Sequence, residues 1–335
     1  MNCHLLIPDL FLPDAPAPVP SFPSLHALLT HGNSLTAPEG DMESWLCQAF
    51  GISRQSDWPS APFSLLADGG IPGSDYWLRA DPVAIQLMRN QLVLFAGNDI
   101  APSATEAEEL CAALNRHFSG DNLHFCAPHP RRWYLRLPGA QKLLTHSLAQ
   151  VNGRDIRHFL PSGADGSGFH KLLNEVQMLL HAHPLNAARE TAGLPPINSI
   201  WPWGGGILPE SIARPFVRVF ADDAPTRGLA LQAGMEIHPL PAAADTCLRT
   251  GGGDLLVVLD ALRDATSLPA RQAQLTCLEA DWFTPLKLAL RKGVIQRLTL
   301  TVPGMSSISL RRADLILPVG MGKLWRRLAS SGEQR

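Results

Sequence analysis

The 335-residue chain is 45% hydrophobic and 17% charged, with 28 basic against 30 acidic residues, a length that calls for one large domain with a second lobe or for two domains. No long basic run marks a nucleic-acid partner, and no apolar run approaches the roughly 20 residues of a membrane helix. The first 50 residues hold no Lys or Arg, against a secretory signal, and the six cysteines form no CxxC pair, so reduced thiols and a cytoplasmic location are expected.

In chain order, "CHLLIPDLF" reads as a buried strand with Asp9 at its exit, the end of an open α/β sheet where ligands bind. A proline-rich loop follows. "SLHALLTHG" and "DMESWLCQAFG" read as helices stopped by glycine. "APSATEAEELCAALNRHF" places Ser103 and Glu106 in capping-box spacing ahead of an apolar face at Ala107, Leu110 and Leu114. "NLHFCAPHPRRWYLRLP" predicts two strands around a proline-broken turn. "SGFHKLLNEVQMLLHAHPLNAARETAG" predicts a long helix or helix pair, and "NSIWPWGGGILP" a loop.

Strand and helix signals then alternate. "FVRVFA", "GDLLVVLDAL" and "IQRLTLTVPG" read as strands, the second an unbroken apolar run of the parallel-sheet kind. "TRGLALQAG" reads as a helix, and "ARQAQLTCLEADWFTPLKLALRKG" as a helix bent or interrupted at Pro285. The alternation predicts a parallel sheet covered by helices.

In "IPGSDYWLRADP", Ser74 and Asp75 stand on a Pro-Gly turn. Ser74 is a candidate nucleophile, if a base or a metal activates its hydroxyl. Pro, Gly, Ser and Asp are equally the residues that turns prefer. Asp9 and Asp264 each follow an apolar strand and could hold cations at a sheet end, or serve as caps and turn formers. Arg132 and Arg136 share one face if their segment is a strand, and the arginine fork suits phosphate; a solvated edge strand accounts for them as well. His124, Cys126 and His129 fit no zinc template, and "WPWGGG" lacks dinucleotide-loop spacing.

The order of motifs carries a resemblance. "HPLNAARETAGLPPINSIWPWGGGILP", "TRGLALQAGMEIHPLPAAADT" and "GDLLVVLDALRDA", with "PGSD" and "DP" earlier, resemble the archaeal-type cofactor-independent phosphoglycerate mutases of the alkaline phosphatase superfamily. Bacterial phosphoglycerate mutase-like and RpfE-type regulatory proteins are the kin it suggests. The resemblance implies an alkaline-phosphatase-like α/β fold, its parallel-sheet core from residues 1–89 and 176–335 and a smaller inserted α/β domain at 90–175. It implies a phosphoserine at Ser74, divalent manganese or zinc held by Asp9 and Asp264, and substrate contacts from Asp75, Arg132 and Arg136.

The family's imidazole ligands are missing. Leu268 stands where a histidine should follow Asp264, "LTLTVPG" lacks an Asp-His pair, and no histidine lies beyond His238. Metals supply several kcal/mol at a phosphoryl centre, about 1.4 kcal/mol being tenfold in rate. Asp9, Ser74 and Asp264 alone would hold such a metal poorly. The expectation is a degenerate metal site with no cofactor or a weakly bound one, and a regulatory role or one in binding a phosphorylated small molecule. The alternative is an active metal-dependent mutase or phosphotransferase that recruits His181, His183 or His238.

Overall fold

The computed structural model describes residues 1–11, 22–36, 40–249, 251–263, 265 and 267–316. In chain order its strands are β1 (Asn2–Leu6), β2 (Asn33–Leu35), β3 (Tyr76–Met88), β4 (Gln91–Phe95), β5 (His124–His129) and β6 (Arg132–Leu137). They continue as β7 (Ser199–Ile207), β8 (Arg218–Phe220), β9 (Glu236–His238), β10 (Asp254–Val258), β11 (Arg297–Val302) and β12 (Ser306–Arg311). The chain divides into two compact units: Met1–Ala49, Arg214–Asp223 and Ala233–Arg335 in the first, Phe50–Ala213 and Ala224–Gln232 in the second.

The first unit holds a sheet in the order β2-β12-β11-β1-β10-β8-β9. β1 runs parallel to β10 and β11, and β8 parallel to β10 and β9. Residues of one face, among them Cys3, Leu5, Leu255, Val257, Leu298 and Leu300, pack with Trp282, Phe283 and Leu290. The helical stretch around Pro285 is built from Leu268–Leu278, a π-helical turn Glu279–Phe283 and Thr284–Lys292. Pro285 lies in the first turn of the last segment, where a missing N–H is tolerated, and the wide turn ahead of it makes the break.

On the opposite face of β1, the His4 ring lies 4.9 Å from the Trp45 ring, and its Nε2 is 2.9 Å from Thr301 Oγ1. Burial lowers its pKa from 6.5 to about 4. Between those values the unfolded chain holds a proton that the folded chain does not. The His4 contribution is therefore intact above about pH 6.5 and lost as pH falls toward 4, by at most about 3 kcal/mol. His4→Gln is expected to flatten this acid loss, read as the urea midpoint at pH 7 and pH 4.5. An equal loss in both proteins would contradict it.

The second unit is antiparallel, ordered β4-β3-β6-β5 with β7 also on β3. The first half of β3 lies between β6 and β7, and its second half pairs with β4. Trp133, Leu135 and Leu137 face a core closed by Leu110 and Leu114 from one helix and Phe169, Val176 and Leu180 from another. The Ser103 capping box forms as read from the sequence: the Glu106 N–H donates to Ser103 Oγ (3.2 Å), and the Ser103 N–H to Glu106 Oε2 (2.7 Å).

"WPWGGG", expected as a loop, is instead strand β7. Its glycines make room: a Cβ on Gly206 would stand 2.4 Å from the Pro59 Cβ, at the start of the helix Ser60–Ala67. The partners of β3 all belong to the antiparallel sheet, so β3, the Ser74 turn before it and the helix Ser60–Ala67 fall in the second unit.

Candidate functional site

In the second unit, Ser74 and Asp75 are exposed on the turn leading into β3. The turn is pinned by the Trp77 indole N–H, which donates to the Pro72 carbonyl at 2.9 Å. β3 opens with Tyr76 opposite Leu137 and Trp77 opposite Arg136, so Arg136 stands beside the turn. Its Nη1 is 3.7 Å from Asp75 Oδ2, and both side chains are about half exposed. A pair so open to water contributes about 0–1 kcal/mol and leaves the guanidinium free to meet an anion. Ser74 makes no side-chain hydrogen bond with a described residue.

Arg132, Tyr134 and Arg136 alternate onto one face of β6. Arg132 is held in a fork by Asp68, with Nε to Oδ2 at 2.8 Å and Nη2 to Oδ1 at 2.6 Å. The Tyr134 hydroxyl donates to the same carboxylate at 2.6 Å. Burial pushes the Asp68 carboxyl up, but the hydrogen bonds from Arg132 and Tyr134 and the Arg132 charge outweigh it and hold it below its ordinary value. The Nε and Nη2 edge of Arg132 is thereby committed within the protein.

Behind this pair lies one that sequence reading missed. Arg79 donates from Nε (3.0 Å) and Nη2 (2.7 Å) to Asp81 Oδ1, and the Trp203 indole N–H donates to Oδ2 at 2.8 Å. The guanidinium lies over the Tyr134 ring at 5.3 Å and the Trp203 ring at 5.0 Å. Burial works against the Arg79 charge, and the Asp81 carboxylate more than restores it. The i, i+2 spacing of Arg79 and Asp81 was the available signal, but only the pairing of β3 with β6 and β7 brings the rings around it.

In the first unit, Asp9 follows the carboxyl end of β1 in a left-handed conformation (φ 58°). Asp264 lies outside the described residues. Arg263, just after β10, has its Nε 4.0 Å from Asp9 Oδ2 and donates from Nη2 to Glu43 Oε1 at 3.1 Å. Burial opposes the Arg263 charge, but Glu43, Asp9 and Asp223 together raise its pKa further. Arg271, also buried, donates to the Leu262 carbonyl and feels the Asp9 charge. Among the described residues no three His, Cys, Asp or Glu side chains gather as a metal-binding group.

Two of the histidines considered as substitutes have other partners. His183 Nδ1 accepts from the Leu185 N–H at a helix start, and His238 pairs with Glu236 at 2.7 Å and stacks on Phe220. His181 is exposed on the second unit. Among the described residues no helix is long and apolar enough to cross a membrane.

No family model matches the chain. It is 27% identical over 173 residues to a 2,3-bisphosphoglycerate-independent phosphoglycerate mutase of Methanosarcina mazei, covering 48% of this chain and 42% of that one. It is 31% identical over 100 residues to the protein of the same description from Methanosarcina barkeri, covering 28% and 25%. A probable mutase of this kind from Geobacter sulfurreducens is 26% identical over 205 residues, covering 57% and 50%. The chain thus spans half or less of the length of these relatives. Among solved structures, the PH0037 protein from Pyrococcus horikoshii matches 92% of this chain and 86% of its own at a TM-score of 0.52 and 12% identity. A cofactor-independent phosphoglycerate mutase from Thermoplasma acidophilum covers 92% and 88% at a TM-score of 0.42 and 16% identity. With a mostly parallel sheet in one unit and an antiparallel sheet in the other, the chain is an α/β protein that shares its fold with the PH0037 protein and is related by sequence to the cofactor-independent phosphoglycerate mutases.

Proposed function

We propose that this chain is a phosphoglycerate mutase-like protein whose metal centre is not maintained, and that it acts by binding a phosphorylated small molecule in a regulatory role. The observation that carries this reading is the setting of Asp9. The Asp9 carboxylate, which the resemblance would make a metal ligand, faces the guanidinium of Arg263, and the sequence supplies no histidine beyond His238. These residues do not fit a two-cation centre. Anion binding is supported by the exposed Ser74 turn and by Arg136, whose loose pairing with Asp75 leaves its donors available.

The test is a thermal-shift titration with 3-phosphoglycerate, with wild type and Arg136→Ala compared in metal-free buffer. At tenfold or more above Kd, wild type is expected to gain about 3 °C and the variant to lose most of that gain. Manganese-dependent interconversion of phosphoglycerates, abolished by Ser74→Ala, would instead establish an active mutase and overturn the reading.

A further inference from the structure

We propose that Arg263 is a resident cation of the first unit, its guanidinium neutralising the carboxylates that a divalent ion would otherwise meet. This rests on the reading of the metal centre given above and adds to it the group that takes the metal's place. Three features of the geometry support it.

Arg263 is fixed from its backbone, its N–H donating to the Asp260 carbonyl at 2.9 Å in the turn that follows β10. The side chain then reaches two carboxylates from different elements, Glu43 at 3.1 Å and Asp9 at 4.0 Å. The charge of Asp223 acts on the same guanidinium. Finally, Glu43 is only 5% exposed, and its Oε2 has no hydrogen-bond partner among the described residues. A buried carboxylate with a spare oxygen beside a second carboxylate is a hard-oxygen donor set for manganese or magnesium. In this chain the cation it meets is an arginine, which cannot shed its charge and whose bulk occupies the space.

Removing the guanidinium should therefore uncover a metal response that the wild type lacks. Wild type, Arg263→Ala and Arg263→Ala/Glu43→Gln are compared by thermal unfolding, with and without 1 mM Mn2+. Wild type is expected not to respond. Arg263→Ala is expected to melt lower, or to remain unfolded, in metal-free buffer, and to recover by about 5 °C or refold when Mn2+ is added. The double variant, with neither charge, is expected to fold and to ignore Mn2+.

An Arg263→Ala protein indifferent to Mn2+, folded or not, overturns the proposal and leaves the functional reading standing. A double variant that answers Mn2+ as strongly as the single one also overturns it, because Glu43 would then not be a ligand. Stoichiometric Mn2+ binding by wild type overturns the functional reading itself, whatever the variants do.

Discussion

Asp81→Ala is expected to destabilise the fold by about 4 kcal/mol. The Arg79 guanidinium is buried between the Tyr134 and Trp203 rings, and Asp81 supplies the carboxylate that accepts two of its N–H groups. Removing one partner of a buried ion pair leaves an uncompensated charge, typically about 3–5 kcal/mol. The Trp203 indole N–H loses its acceptor in the same substitution, adding about 1 kcal/mol. Asp68, whose charge also acts on Arg79, offsets part of the total. The double variant Arg79→Met/Asp81→Asn removes the charge and keeps an oxygen for Trp203, so it is expected to lose much less. Urea unfolding followed by tryptophan fluorescence reads both. A loss under about 1 kcal/mol for Asp81→Ala would mean that Asp68 alone neutralises Arg79.

Gly228→Ala carries the second large effect, and its sign opposes helix propensity. Gly228 lies within the helix Ala224–Gln232, where alanine is favoured over glycine by about 1 kcal/mol. Here a Cβ would stand 1.8 Å from the Phe63 carbonyl oxygen and 2.4 Å from its carbon. Both atoms are backbone of the helix Ser60–Ala67, which cannot turn aside as a side chain would. The helices must separate, and a net loss of about 3 kcal/mol is expected. Gly168, exposed in the helix Gly166–His181 with nothing near its missing Cβ, is the control. Gly168→Ala should stabilise by about 1 kcal/mol in the same assay. If both substitutions stabilise, the helices do not meet at Gly228.

Features governed by residues close in sequence were legible beforehand. The apolar runs of β1 and β10 and the Ser103–Glu106 capping box declare themselves within a few residues. Features governed by distant pairing were not. β7 contains Pro202 and three glycines, which locally read as breakers, and only its partnership with β3 makes them strand residues. β3 itself hides behind Arg79, Asp81 and Pro82, polar or ring-locked residues that a buried strand rarely carries.

Among the candidate site residues, alternation along β6 put Arg132 and Arg136 on one face. Asp68, which holds Arg132, lies 64 residues away and gives no local sign. Arg263 next to Asp264 could be read from the sequence, but that it reaches Glu43, 220 residues away, could not.

The most direct measurement of the central claim is the metal content of the wild-type chain after equilibration with manganese and zinc and removal of free ions. With Arg263 paired to Asp9 and Glu43, no ion should be retained. Two tightly held ions per chain would contradict the claim and return the protein to the metal-dependent mutases.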